Sequence, residues 1–256
     1  MPLPDVNGDI YDGSLIFTIT SDGYKYLTWN LWLTLQRLNV SWRLCILCLD
    51  RESYRFLQTI AMIPCHLYEG PKINHKSPLP YGTDQFKRLV AMKINALREL
   101  SQIPTIKNLI YLDSDITVFT DPLPPLKEYL FDEPLWFQCD EAYNGGVCAN
   151  HDHCPAPCTG IIAMRLEGQR ETFKRLYTIV GDEWSKSDTD QDYIQRRLIS
   201  EDIEYRTLNR GQFPNGTFIP GDIYKASAPC LLHFNFIIGQ GKQQTMKRLG
   251  YWYVPV

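Results

Sequence analysis

Two carboxylates one residue apart, Asp113 and Asp115, end the apolar run Leu109-Ile110-Tyr111-Leu112, and apolar residues resume at Ile116, Val118 and Phe119. Like charges at the end of a buried strand repel each other, and each also loses hydration on burial. A divalent cation shared between them removes the repulsion. Mg2+ and Mn2+ favour such oxygen ligands, commonly one or two carboxylates together with ligand phosphates. The plainer reading is that one aspartate caps a turn while the other is solvated. A second chemical cluster is "CANHDHCPAPC", where Cys148, His151, His153, Cys154 and Cys158 fall within eleven residues. These could build a structural zinc site, but the spacing fits no standard finger, so free thiols or a disulfide stay open. Cys45 and Cys48 lie in a strand pattern, where side chains three apart point to opposite faces, which argues against a shared metal or redox role.

The elements that would position these residues alternate. "SLIFTIT" (14–20) reads as a buried strand, followed by a helical pattern over 24–38 that Ser21 or Asp22 is placed to cap. "WRLCILCL" (42–49) is a second strand, "RESYRFLQTIA" a second helix, and 65–68 a short third strand. A helix over 84–100 precedes the strand 108–112 that carries the two aspartates. Strands alternating with helices predict a mostly parallel α/β sheet with helices on both faces. In open sheets of this kind ligands collect outside the carboxyl ends of the strands, which is where Asp113 and Asp115 emerge. After Pro122 the texture changes to proline-rich turns, short strands near 134–139 and 160–166, and helices near 169–185 and 189–199. With no repeat and no Gly/Ser linker, the reading is one domain, divided into a binding half (about 1–122) and a second half (about 123–256).

The 256 residues are 44% hydrophobic and 21% charged, an ordinary globular composition with material for a sizeable core. A net charge of −3 leaves no basic footprint, so nucleic acid is not expected as a partner. No apolar run reaches the roughly 18 residues of a membrane span. "MPLPDVNGDIYDG" lacks the basic and apolar regions of a signal peptide, so the expectation is a cytoplasmic protein with free thiols.

Several segments together resemble one family, the nucleotide-diphospho-sugar transferases of the GT-A fold, in the branch similar to extensin arabinosyltransferases and rhamnogalacturonan xylosyltransferases. They are "FKRLVAMKINALREL" with Lys93, "LIYLDSDITVFTDPL", "CTGIIAMRL", "DTDQDYIQRRL", "FPNG", "HFNFIIGQGK" and Gly250-Tyr251-Trp252, in that order. The resemblance implies a single Rossmann-like GT-A domain and a metal-dependent glycosyltransferase. Its donor would be a nucleotide sugar, with UDP as the nucleotide, and its acceptor a glycan or glycoprotein. It further implies Mn2+ (or Mg2+) held by Asp113, Asp115 and His233, with Asp113 and Ser114 also on the donor. The lack of a leader looks more like bacterial enzymes, or like soluble enzymes that large DNA viruses use in host cytoplasm.

The remaining roles each have a bland counterpart. Thr20, Asp22 and Tyr24 sit where such folds grip the nucleoside, or else Ser21 and Asp22 only cap a helix. Lys93 could reach the diphosphate or pair with Glu99 or another surface acid. Lys242, in the turn "GQGK" with Gly239 and Gly241, could neutralise the leaving diphosphate or be a surface lysine. Asp188, Asp190 and Asp192 open a helix and suit its dipole. By resemblance Asp190 faces the reacting sugar and Gln191 hydrogen-bonds it, with inversion and retention both open; Asp192 is a further acid, and Asp140 and Glu141, an acidic pair after a short strand, are the reserve base. A nucleotidyltransferase would carry a Gly-rich loop where this chain reads "TSDGYKYL". A non-catalytic sugar-nucleotide-binding relative would be expected to have lost these acids.

Overall fold

The computed structural model describes residues 3–70, 76–80, 82–140, 157–221 and 228–255. Seven strands form the central sheet: β1 (Ser14–Thr20), β2 (Leu44–Cys48), β3 (His66–Leu67), β4 (Asn108–Leu112), β6 (Leu135–Cys139), β7 (Pro157–Arg165) and β8 (Arg206–Thr207). Their order is β3-β2-β1-β4-β7-β6-β8. The β3-β2-β1-β4 part is parallel, β7 runs antiparallel between β4 and β6, and β8 returns parallel to β6. The parallel first half is the one that strand–helix alternation predicts. The antiparallel insertion of β7 cannot be read from spacing, because it depends on pairings far apart in sequence.

Helices cover both faces, so β1, β2, β4 and β6 are buried almost end to end and mostly apolar rather than alternating. On one side, Phe17, Leu47, Tyr111 and Phe137 pack with Ile94 and Leu97 of α3 (Asp84–Ser101), Phe173 of α5 (Arg170–Leu176) and Ile194 of α7 (Asp190–Ser200). On the other, Ile16, Ile46 and Ile110 meet Leu31 and Leu35 of α1 (Lys25–Leu38), Leu57 of α2 (Arg51–Thr59) and Leu126 of α4 (Leu123–Asp132). Cys45 and Cys48 fall on these opposite faces as period-2 geometry requires. Among the described residues, no helix is long and apolar enough to cross a membrane.

Three local readings change. Tyr24, not Ser21 or Asp22, is the N-cap of α1, and no side chain caps it. The Asp22 carboxylate instead pairs with Lys25, while its N–H donates to Asp50. The helix expected over 169–185 is two, α5 and α6 (Gly181–Ser185), because the chain turns between Tyr177 and Val180. A separate two-stranded ladder joins β5 (Ile116–Val118) to β9 (Leu231–His233), with Ile116 opposite His233. That ladder, followed by α8 (Gly241–Leu249), carries the late part of the chain back to the end of β4.

Candidate functional site

β4 delivers Asp113 at the carboxyl edge of the sheet, where the Asp113 N–H donates to Gly160 O at 2.8 Å and ties the strand end to β7. Two residues on, Asp115 is buried, and its own carbonyl accepts from Phe234 N–H at 3.0 Å. That backbone bond, next to the β5–β9 ladder, sets His233 against both aspartates. His233 Nε2 lies 3.2 Å from Asp115 Oδ1 and 3.6 Å from Asp113 Oδ2. Donor atoms of the three side chains all fall within 4.8 Å of one another, a carboxylate–carboxylate–imidazole set that could hold a metal ion. The set fits a cation for a further reason. Nδ1 of His233 meets Gln138 Oε1 at 2.6 Å, and Gln138 Nε2 donates to Phe213 O and Pro214 O, both at 3.1 Å. With the amide held that way round, Nδ1 carries a proton and Nε2 is turned toward the carboxylates.

Lys242 at the start of α8 closes the site from the other side, its ammonium on Asp115 Oδ2. It is brought round by Gly239, whose φ of +59° is one that side chains resist. Burial alone would raise the Asp115 pKa, but Lys242 and His233 outweigh it and hold the carboxyl well below its usual range. Asp115 is therefore ionised at neutral pH.

Lys93 is neither a surface lysine nor a partner of Glu99. It is buried under β4, its Nζ 2.8 Å from Asp190 Oδ2, 3.6 Å from Asp113 Oδ1 and 4.5 Å from the Tyr111 ring centroid. Burial would strip its proton, yet Asp113 and Asp190 win and its pKa is raised. Asp190 also accepts from Thr159 Oγ1 at 2.8 Å, and Tyr111 donates to Asp113 at 2.5 Å. The Tyr111 phenol is pushed well above its ordinary value, by burial first and by Asp113 second, so it remains a donor.

A third group lies alongside. Gln191 Nε2 donates to Asp140 Oδ2 at 2.7 Å, and Asn235 Nδ2 donates to Asp140 Oδ1 at 3.2 Å. Burial raises the Asp140 pKa, with Gln191 opposing. Tyr24 is partly buried, and its hydroxyl accepts from Leu79 N–H. Its pKa is raised by burial first, with smaller contributions from the Asp115 and Asp113 charges.

Thus Asp113, Asp115, His233, Lys242, Lys93 and Asp190 form one connected cluster, with Gln191 and Asp140 paired beside it. Ser114 is buried within the turn. Two candidates face elsewhere. Asp192 sits on the outer face of α7, accepting from Arg196 and from Asp188 N–H, and Thr20 is buried with its hydroxyl accepting from Thr28. Asp22 is paired with Lys25. Glu141, Cys148, His151, His153 and Cys154 lie outside the described residues. Cys158 is buried among Asn235, His233 and Asp140, and burial foremost raises its thiol far above the usual range. The residues that sequence reading missed are Tyr111, Gln138, Thr159 and Asn235. Gln138 leaves a signal, as an amide in the apolar run "LWFQC".

A family model for nucleotide-diphospho-sugar transferases matches residues 40–249. The chain belongs to that family. No curated protein matches it in sequence. Among solved structures, the transferase fold is shared with the galactosyltransferase LgtC solved with donor and acceptor sugar analogues (14% identity, TM-score 0.56, 94% of this chain and 97% of that one). Mouse xyloside xylosyltransferase 1 is similar as well (12%, TM-score 0.51, 87% and 98%). The bifunctional glycosyltransferase WbbM matches over 91% of this chain at 14% identity and TM-score 0.55, and this transferase spans 47% of WbbM. The seven-stranded sheet flanked by helices is the GT-A arrangement of these proteins.

Proposed function

We propose that this nucleotide-diphospho-sugar transferase is a metal-dependent glycosyltransferase that moves a sugar from a UDP-sugar to a hydroxyl of a glycan or glycoprotein. The reading rests on one observation above others, the convergence of Asp113, Asp115 and His233 Nε2 on a single point at the strand ends. These three would hold Mn2+ or Mg2+, which when bound supplies positive charge against the leaving nucleoside diphosphate. UDP is favoured as the nucleotide, and xylose, arabinose or galactose as the sugar. A galactosyl- and a xylosyltransferase among the structural neighbours are consistent with that choice.

The protein's own residues divide the remaining work. Lys242, in a Gly-rich turn, brings an ammonium to the diphosphate side. Tyr24 and Asp22, which follow β1, are the groups on the nucleoside side. Lys93, Tyr111 and Thr159 fix Asp113 and Asp190 in a dry setting, so that Asp190 presents a carboxylate to the donor sugar without reorganising. Gln191 reaches the same sugar. Asp140, its pKa raised by burial, is the group suited to take a proton from the acceptor hydroxyl at one of its carboxylate oxygens. One domain carries both parts, a nucleotide-sugar-binding half over about 1–122 and an acceptor-side half over about 123–256 that also returns Asp190, Gln191, His233 and Lys242 to the donor.

Calorimetric titration of UDP with and without Mn2+, into wild type and Asp115→Ala, tests the reading. Metal-dependent binding in the wild type and its loss in the variant are expected. UDP binding that ignores both the metal and the substitution would overturn it.

A further inference from the structure

The buried amide of Gln138 has no place in sugar or metal chemistry, yet its oxygen and its nitrogen are both committed to partners at the edge of the site. We infer that Gln138 is a positioning residue whose single task is to keep a proton on His233 Nδ1, leaving Nε2 as the metal-facing nitrogen. The inference rests on the proposed metal site for its consequence but not for its geometry.

Four observations fit together. Gln138 is fully buried, so its amide must find partners inside the protein. Its two N–H groups go to Phe213 O and Pro214 O. Flipping the amide would set its oxygen against two carbonyl oxygens, so Oε1 is committed to His233 Nδ1 at 2.6 Å. An acceptor in that position requires a donor on the ring, which excludes the tautomer with a bare Nδ1. The backbone arranges this with a break in register between β6 and β7 at Phe137/Gln138, where the pairing jumps from Ile162 to Cys158. Such irregularities re-aim side chains beside functional sites.

The opposite side of the ring is shaped by absence. A Cβ on Gly160 would lie 2.1 Å from His233 Cε1, so only glycine admits the imidazole there. The segment "FPNG" then acquires a role. Pro214 O accepts from both the Gln138 amide and His233 N–H, and the Asn215 side chain donates to Cys139 O. This turn therefore clamps the end of β6 to β9, and so ties the positioning amide to the ligand it positions.

Two variants separate positioning from packing. Gln138→Leu removes acceptor and donors together. Gln138→Glu removes the donors to Phe213 and Pro214 but keeps an acceptor for Nδ1–H. The readouts are the His233 Nδ1–H resonance in 15N-edited NMR of the full chain and its affinity for Mn2+ alone, measured by paramagnetic resonance of the free ion. In the wild type a slowly exchanging Nδ1–H is expected. In Gln138→Leu that signal is lost and Mn2+ binds roughly 10–100-fold more weakly, the usual scale for partners of metal-bound histidines. Gln138→Glu should keep the signal and bind Mn2+ at least as tightly as wild type, although both variants melt at lower temperature. A wild type protonated only at Nε2, or equal loss of Mn2+ in both variants, would overturn the assignment. A wild type with the Nδ1–H signal but no Mn2+ affinity would sink the metal reading and support the tautomer assignment.

Discussion

Replacing Lys93 by Met tests whether a buried ammonium holds the two halves of the site together. Lys93 and Asp190 have side-chain exposures of only 4% and 7%, so solvent screens their 2.8 Å contact little. Removing one member of a buried pair costs about 3–5 kcal/mol, since the other is left charged and unpaired. Contact with the Tyr111 ring adds up to about 2 kcal/mol when desolvated, part of which the thioether of Met recovers. Asp190 can escape part of the penalty by taking a proton. The net expectation is on the order of 4 kcal/mol. At roughly 2–4 °C per kcal/mol for a chain of this size, Tm falls by about 8–16 °C. Thermal unfolding of Lys93→Met, Asp190→Asn and the double variant closes a cycle. The double variant should be more stable than the sum of the single losses implies, by about 1–3 kcal/mol, while sugar transfer stays abolished. A Tm within 2 °C (roughly 1 kcal/mol) of wild type for Lys93→Met, or strict additivity in the cycle, would refute the buried pair.

Other outcomes follow from the same geometry. In Gly160→Ala the new methyl would stand 2.1 Å from His233 Cε1, so the ring must move. Metal sites tolerate only about 0.2 Å in ligand distance, so Mn2+-dependent UDP binding by calorimetry should vanish while circular dichroism keeps the native spectrum. Asp192→Asn should leave turnover within about twofold of wild type, because its exposed pair with Arg196 carries only about 0.3–0.5 kcal/mol. Burial pushes the Cys230 thiol from 9.0 up to about 11. With the folded pKa above the unfolded one, the stability it contributes is complete below pH 9 and lost as pH rises to 11. At about 1.4 kcal/mol per unit, urea unfolding of Cys230→Ser should lose roughly 2–3 kcal/mol less over that window.

Much of the fold and of the site is legible in the order of residues alone. Two aspartates at the end of a four-residue apolar run have few stable explanations, and the run is β4. A basic residue in the middle of an apolar stripe is also a signal. Lys93 shares the buried face of α3 with Leu89, Val90 and Leu97, although its spacing alone does not say which acids it meets. Asp190 and Asp192 look equivalent in sequence, being two apart on one helix start. A helix turns about 200° over two residues, which sends one inward to Lys93 and the other out to Arg196. Local cues fail where partners are remote. Ser21 and Asp22 have the chemistry of helix caps, but Asp50 and Lys25 take up the backbone and side chain of Asp22. Gln138 and Thr159 acquire meaning only once β7 is inserted beside β4, a pairing no periodicity encodes.

The small β5–β9 ladder has a consequence for the order in which the site comes into being. Asp113 and Asp115 are in place as soon as β4 joins the sheet, but His233 reaches them only when β9 zips onto β5, nearly half the chain later. A chain that has formed only the central sheet has therefore not yet assembled the proposed metal site. Until β9 and α8 form, Asp113 and Asp115 have neither His233 nor Lys242 beside them. His233 and Lys242 thus join the proposed site together, through the pairing of β9 with β5 and the helix that follows it.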